Sequence, residues 1–101
     1  MPLIYHIANK QDWEKAKEET FYAIPSLKDE GLIHCCLEDQ VSGILDRYYK
    51  DNSDILLLTI DTAKLRSQLV YEWSPSLEAT FPHIYGPINT DCVIAVKELK
   101  H

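Results

Sequence analysis

The sequence contains four histidines, and three of them lie inside short apolar segments, IYHI, LIHCC and FPHIYG. An imidazole can donate, accept or transfer a proton near neutral pH, and a buried one needs partners for its ring nitrogens. If the three segments are strands, alternate side chains share a face, so His6, His34 and His83 can converge on one cleft. The alternative is three separate core histidines, each satisfied by backbone groups. Three such residues in so short a chain favour a site.

The segment FPHIYGP holds His83 and Tyr85 between two prolines and next to a glycine. Neither Pro82 nor Pro87 can donate a ladder hydrogen bond, which disfavours a central strand and predicts an edge or the rim of a cleft. Gly86 permits a conformation, or a close ligand approach, that a Cβ would obstruct, so Tyr85 is predicted at the wall of a pocket. A rigid turn with a packed tyrosine would explain the same residues.

Glu72 is the acid of interest, because VYEW surrounds it with a valine and two aromatic residues. An unpaired carboxylate is costly there unless it faces a cleft or a partner. We therefore predict that Glu72 is a polar anchor of the site, although on an exposed edge strand it would be a solvated side chain. The sequence has no glycine-rich phosphate loop, serine elbow or paired-cysteine zinc signature.

These residues must be positioned by strands, which the apolar runs LIYHIA, LIHCC, ILLLTID, VYEW and CVIAVKEL predict. LIHCC is predicted to be a main strand. ILLLTID is apolar almost throughout, which is typical of a strand covered on both faces, so it is predicted to be central. SPSLEAT, rich in turn-forming residues, is predicted to be a loop.

Helices are predicted between these strands. Asn9 is predicted to cap a helix over KQDWEKAKEE that ends near Thr20. The spacing in EDQVSGILDRYY predicts a second helix, ended by residues 51–53. Pro25 is expected to break the local structure, with Ser26 capping a single helical turn, and residues 62–69 are expected to form another short turn.

The spacing of strands and helices lacks the regular βαβ alternation of a parallel doubly wound sheet. The sequence therefore predicts an α+β fold with a mostly antiparallel sheet and short helices. A chain of 101 residues has room for one core, so residues 1–101 are expected to form a single domain.

Charge and composition narrow the function classes. The net charge of −6 and the presence of only two arginines make a nucleic-acid partner unlikely on electrostatic grounds. No apolar run approaches the roughly 18 residues of a membrane span, and no basic leader precedes LIYHIA, so a cytoplasmic protein is expected. Cys35, Cys36 and Cys92 cannot all pair in disulfides, which fits a reducing compartment and a packing role.

In order along the chain, IYHI, a Trp-containing helix, SLKDEGLIHCC, Gln40, LLLTID, VYE and FPHIYGP resemble the domain of unknown function 952 family. The resemblance covers nearly the whole chain, and the pair EGLIHCC and FPHIYGP carries most of its specificity. The sequence departs from the family in having Cys36 where serine is usual, which argues against a hydroxyl role at that position.

The resemblance implies a compact member of the ADP-ribosyltransferase fold, a split, mostly antiparallel β structure whose cleft holds NAD in characterised relatives. On that likeness His6, His34 and Tyr85 are expected to bind NAD, with Tyr85 stacking on nicotinamide. Glu72 and His83 are the expected catalytic residues. The implied reaction cleaves the bond between nicotinamide and ribose, and its oxocarbenium-like transition state gains from a carboxylate.

Within that resemblance, a small nucleotide-like ligand is preferred over RNA, because relatives that act on RNA phosphates grip them with arginines. Two other classes stay open. One is a metal site with His6, His34 and His83 as ligands and Cys36 as a fourth, although their spacing matches no short zinc signature. The other is a non-catalytic binding module that keeps the fold.

Overall fold

The computed structural model describes residues 3–50 and 53–99, and within them eight strands and three α-helices are joined by turns, loops and short 3-10 helices. The strands are β1 (Leu3–Asn9), β2 (Phe21–Tyr22), β3 (Ile33–His34), β4 (Ile55–Asp61), β5 (Gln68–Ser74), β6 (Ala79–Tyr85), β7 (Ile88–Asn89) and β8 (Val93–Leu99). The helices are α1 (Lys10–Glu19), α2 (Pro25–Glu30) and α3 (Val41–Tyr48).

The described strands form two three-stranded sheets, in the orders β1-β4-β8 and β3-β6-β5, and a two-stranded pair of β2 with β7. Every named pair is antiparallel. The predicted α+β class with a mostly antiparallel sheet is therefore confirmed. The ILLLTID segment is β4, and it is the central strand of its sheet, as predicted.

Helix α1 begins and ends as its sequence predicts. The Asn9 side chain accepts hydrogen bonds from the backbone N–H groups of Gln11 and Asp12, which otherwise have no partner in the first turn. The helix ends at Thr20, whose backbone is left-handed with φ of 70° and whose N–H bonds Ala16. Trp13 and Ala16, three residues apart, are the buried face.

Helix α2 corrects two predictions. Pro25 starts this helix instead of breaking the structure, because the first turn needs no N–H from it and its fixed φ already suits a helix. Ser26 is not the cap. Ile24 occupies the cap position without a side-chain hydrogen bond, and the Ser26 hydroxyl donates to the Leu32 carbonyl at 3.0 Å.

The LIHCC segment is a much shorter strand than predicted, and Pro82 supplies the reason. Strand β6 lies between β3 and β5, so Pro82 is in a central strand. Of the two predicted positions for this segment, the sheet edge is wrong, whereas Phe81 and His83 on either side of Pro82 do line a cleft. The Pro82 carbonyl accepts from Cys35 at 3.0 Å, but Pro82 has no N–H to complete that pair, so the ladder ends there. Cys36 then pairs with Tyr5 of β1 through two backbone hydrogen bonds of 2.7 and 2.8 Å. The segment thus connects the two larger sheets.

Several boundaries also differ from the predictions. Helix α3 ends at Tyr48, and the predicted stop at residues 51 and 52 lies outside the described residues. The predicted turn over residues 62–69 is confined to residues 62–64, and β5 has begun at Gln68. SPSLEAT forms a turn only at residues 75–78, between β5 and β6. The pair of β2 with β7 was not predicted, because strands of two residues leave no periodic pattern.

The larger apolar core draws on all three sheets, and its most completely buried side chains are Ile4, Ile33, Leu58, Ile60, Ile84 and Ile88. A second cluster joins Tyr5, Cys36 and Phe81. All three cysteines are free and buried, and burial raises the pKa of Cys36 to about 11, which favours packing over reactivity. No helix in the described ranges is long and apolar enough to span a membrane.

Candidate functional site

A cleft of about 810 Å³ is lined by the three histidines that the sequence places in apolar segments, His6, His34 and His83. Six of the other lining residues are aromatic and are called the aromatic wall below: Tyr5, Tyr22, Tyr48, Tyr49, Trp73 and Phe81. The three histidines come from β1, β3 and β6, which belong to both of the larger sheets. The connection that Cys36 makes between those sheets brings the histidines to one place.

Both ring nitrogens of His6 form hydrogen bonds within the protein. The residue is only 4% exposed, its Nδ1 lies 2.6 Å from the His34 carbonyl, and its Nε2 lies 2.9 Å from the Tyr22 hydroxyl. A carbonyl can only accept, so Nδ1 carries the proton and Nε2 accepts from Tyr22. Burial lowers the pKa of His6 to about 4, against the opposing effect of its backbone hydrogen bond. This imidazole is therefore neutral and structural near pH 7.

His83 is committed at one nitrogen only. Its Nδ1 donates to Glu72 Oε1 at 2.7 Å, so in the neutral ring the lone pair is on Nε2. The ring lines the cleft, which makes Nε2 the nitrogen available to a ligand. A histidine oriented by a carboxylate on its far side is the arrangement of a general base.

Glu72 receives a second hydrogen bond, from the Tyr85 hydroxyl to the same oxygen that His83 contacts. The hydrogen bonds donated by Tyr85 and His83 lower the pKa of Glu72. The hydrogen bond to Glu72 raises the pKa of Tyr85. Glu72 is therefore held as a carboxylate. Glu72 thus has partners in His83 and Tyr85. Neither Glu72 nor Tyr85 is among the lining residues of the cleft, although Tyr85 was predicted at its wall.

His34 lies between the other two histidines. Its ring is 5.0 Å from that of His83, centroid to centroid, in an edge-to-face arrangement. Its Nε2 is 3.1 Å from Glu30 Oε1, in an exposed pair, and its backbone carbonyl accepts from His6. In the neutral ring this leaves Nδ1 with a lone pair. His34 and His83 thus each have a carboxylate on one nitrogen and the other nitrogen free of that contact.

Of the two predicted reasons for Gly86, a special backbone conformation or a close ligand approach, the structure shows a backbone constraint and a close contact within the protein. Its φ is 155°, and a Cβ at this position would lie 2.5 Å from Ser67 Oγ and 2.9 Å from Ser67 Cβ. The Ser67 hydroxyl donates to the Pro87 carbonyl at 2.6 Å, which fixes the chain as it leaves β6. The glycine therefore anchors the end of the strand that carries His83 and Tyr85.

Sequence reasoning missed the aromatic wall. Tyr22 was passed over because β2 is too short to recognise, and Trp73 because its role depends on the turn between β5 and β6. Tyr5 was missed although it is next to His6 in sequence; its hydroxyl donates to Glu38 at 3.0 Å. The one available signal was composition, since the chain has six tyrosines and two tryptophans.

The metal reading receives no support from this geometry. Within residues 3–50 and 53–99, no three His, Cys, Asp or Glu side chains are placed to hold a metal ion. His6 would have to give up its hydrogen bond to Tyr22 or to His34 before it could act as a ligand. The Cys36 thiol, with its raised pKa, would also have to lose a proton.

Comparison with known proteins finds a matching family and solved structures with a similar fold. The family model described as "Protein of unknown function (DUF952)" matches residues 7–96. The crystal structure of protein CC0527 from Caulobacter crescentus is similar with a TM-score of 0.87 and 25% identity, over 97% of this chain and 86% of that one. Its solution NMR structure gives a TM-score of 0.83 and 26% identity, over 99% and 86%. No curated protein matches the chain.

Proposed function

The chain belongs to the DUF952 family of proteins of unknown function, and we propose that its cleft binds a nucleotide of the NAD type and cleaves the bond between nicotinamide and ribose. The observation that carries the proposal is His83, which lines an aromatic cleft while Glu72, behind it, fixes the proton on Nδ1. A flat heterocycle, a ribose and an attacking hydroxyl are the groups that such a wall and such a base can serve.

The size of the cleft fits this class of ligand. Its volume, about 810 Å³, is within the roughly 300–1,000 Å³ of small-molecule sites. Direct contacts are assigned to His34 and His83, which retain nitrogens for ribose hydroxyls. His6 was expected to touch the ligand, and in this proposal it instead supports the His34 backbone, because both of its own nitrogens are used.

The proposed reaction follows from the orientation of His83. Nicotinamide carries a positive charge in NAD and leaves as a neutral amide when the bond to ribose breaks. His83 Nε2 takes the proton from the attacking water or acceptor hydroxyl as its oxygen bonds to the ribose carbon. Glu72 stabilises the resulting imidazolium through Nδ1 and is therefore a positioning residue, while Tyr85 donates to the same oxygen of Glu72 and lowers its pKa.

The finer fold assignment belongs to the same proposal. Two three-stranded antiparallel sheets, joined by the Cys36 segment with a cleft beside the join, support grouping the chain with compact ADP-ribosyltransferase-like proteins. This grouping makes NAD the first ligand to test. It contributes nothing to the assignment of His83, which depends on the contacts of that residue alone.

Binding can be tested by thermal shift and calorimetry with NAD. A ligand at a hundredfold excess over its dissociation constant stabilises the folded state by about 2.7 kcal/mol. We expect NAD to raise the midpoint and His83→Ala to remove the effect. Thr80→Ala, on the same strand but outside the lining, is the matched control. If Zn²⁺ raises the midpoint, NAD does not, and His83→Ala removes the zinc effect, the metal reading replaces this proposal.

Turnover is tested separately by the release of nicotinamide. We expect Glu72→Gln to lower kcat by about 10²-fold or more with KM nearly unchanged, because the amide cannot stabilise the imidazolium. Binding of NAD without release by the wild-type protein would show a non-catalytic binding module. In that case the reaction in the proposal is wrong while the ligand class stands.

A further inference from the structure

We infer that the cleft recognises the positively charged pyridinium nucleoside portion of its ligand and makes no favourable contact with phosphate groups. The inference rests on the proposed function, whose ligand class it narrows. It begins from the charges of the wall. Among the lining residues in the described part of the chain, none is a lysine or an arginine, whereas Asp12 contributes a carboxylate.

Three further carboxylates contact side chains that line the cleft. Each accepts a hydrogen bond from a lining side chain: Glu72 from His83 at 2.7 Å, Glu38 from Tyr5 at 3.0 Å and Glu30 from His34 at 3.1 Å. Their negative charge is transmitted to the cleft through polarised N–H and O–H groups. The chain as a whole also has a net charge of −6. Among the lining residues of the described part of the chain, a phosphate would meet carboxylate charge and no lysine or arginine.

The aromatic wall suits the opposite charge. A cation over the face of a tryptophan is attracted by the ring, and more strongly when water is excluded. Trp73 is among the lining residues and is 61% exposed, which makes it the most accessible aromatic residue of the lining. Tyr48 is less suitable because the Arg47 guanidinium already lies 5.8 Å from its ring centroid. We therefore assign Trp73 as the residue that stacks on the pyridinium ring.

Four compounds separate the two halves of the ligand: nicotinamide riboside, NAD⁺, NADH and ADP-ribose. Nicotinamide riboside has the pyridinium charge without phosphates. NADH has the phosphates with an uncharged ring, and ADP-ribose has the phosphates with no ring. By calorimetry at about pH 8 we expect the riboside to bind within about threefold of NAD⁺, and NADH and ADP-ribose about tenfold more weakly.

Two variants locate the recognition. Trp73→Leu should weaken binding of nicotinamide riboside about tenfold, because the stacking surface is lost. Tyr71→Leu removes another exposed aromatic residue of the same strand outside the lining and should leave binding unchanged. Asp12→Asn should weaken NAD⁺ and the riboside by about threefold without affecting NADH. Thermal unfolding of each unliganded variant checks that it is folded.

The outcomes distinguish this inference from the function on which it rests. If NAD⁺ binds more than tenfold tighter than the riboside, or ADP-ribose binds as tightly as NAD⁺, phosphates are recognised and the inference is wrong while the proposed function stands. Equal affinities for NAD⁺ and NADH would likewise exclude a role for the ring charge. If none of the four compounds binds, the proposed function fails and the inference fails with it.

Discussion

His6 and His83 line the same cleft but differ in how the protein uses them. His6, on β1, has both ring nitrogens bonded, to the His34 carbonyl and to Tyr22, and is almost completely buried. His83, on β6, has one nitrogen bonded to Glu72 and a side chain that remains partly exposed. The same amino acid is therefore a structural crosslink in one sheet and a candidate base in the other.

The difference shows that an imidazole can bind a ligand or transfer a proton only where one of its ring nitrogens is not already used in a hydrogen bond within the protein. Proximity to the cleft does not distinguish these residues, because both line it. Their hydrogen bonds do. His6 stabilises the arrangement, and its removal should destabilise the protein. His83 is the candidate base, and its removal should leave the fold intact.

The largest expected effect is on the His6 side of the comparison. His6→Ala should lower the free energy of unfolding by about 3 kcal/mol, because it leaves a cavity and removes the partners of the Tyr22 hydroxyl and the His34 carbonyl. Urea unfolding followed by circular dichroism measures this. A loss below about 1 kcal/mol would mean that His6 is not the crosslink described.

The second effect is the response of the same residue to pH. His6 has a pKa of about 4 in the folded protein, below its ordinary 6.5. The unfolded chain therefore binds a proton that the folded one excludes, and stability falls as the pH drops from 6.5 towards 4. Between about pH 8 and pH 5 this residue should account for about 2 kcal/mol of lost stability.

The matched variant for that experiment is His6→Gln, which retains a donor and an acceptor but does not titrate in this range. Every other titrating group is common to both proteins, so the difference between their pH profiles reports His6. Parallel profiles of stability against pH would contradict the assignment of a buried neutral imidazole. A steeper fall for the wild-type protein is expected.

The third prediction addresses the other side of the comparison. His83→Ala should lower the free energy of unfolding by about 1–2 kcal/mol, less than His6→Ala does, because the mostly buried ring has its described hydrogen bond to Glu72, which retains its contact with Tyr85. The measurement is the same urea titration used for His6→Ala. A loss as large as that of His6→Ala would remove the distinction between the two histidines and return His83 to a structural role.

The sequence supported much of the fold because its strongest signals are local. The Asn9 side chain caps the helix that follows it directly, and the apolar run of β4 is typical of a central strand. The prediction for Pro82 was wrong because proline is excluded from a central strand only where both neighbouring strands continue past it and need its N–H. Here the neighbouring β3 has two residues, and the missing N–H marks the place where its ladder ends.

The candidate site was only partly predictable for a different reason. Strand alternation says that Phe81, His83 and Tyr85 share a face, but not which part of that face another sheet covers. This depends on the backbone bridge between Cys36 and Tyr5 of β1, two residues that are 31 positions apart in the chain. Glu72 was recognised as needing a partner, whereas its position behind His83 depends on the pairing of β5 with β6.

The smallest expected effect concerns the residue behind the base. The Tyr85 hydroxyl is the first cause of the lowered pKa of Glu72, and His83 is the second. Tyr85→Phe should therefore raise that pKa towards its ordinary 4.5 without removing the contact to His83. A carboxyl-carbon NMR titration follows Glu72 directly, and Tyr71→Phe, at an exposed tyrosine next to it in sequence, is the control.

The sign of this effect on stability follows from the direction of the shift. A carboxylate whose pKa is lowered on folding stabilises the protein above its unfolded pKa, and this contribution is lost as the pH falls through the folded value. Tyr85→Phe should therefore move the acid-induced loss to slightly higher pH. Binding of NAD should be unaffected, because Tyr85 is outside the lining. If the variant instead abolishes NAD binding and leaves the pKa of Glu72 unchanged, Tyr85 contacts the ligand itself. In that case His83 and Tyr85, both on β6, would each have a direct role in binding.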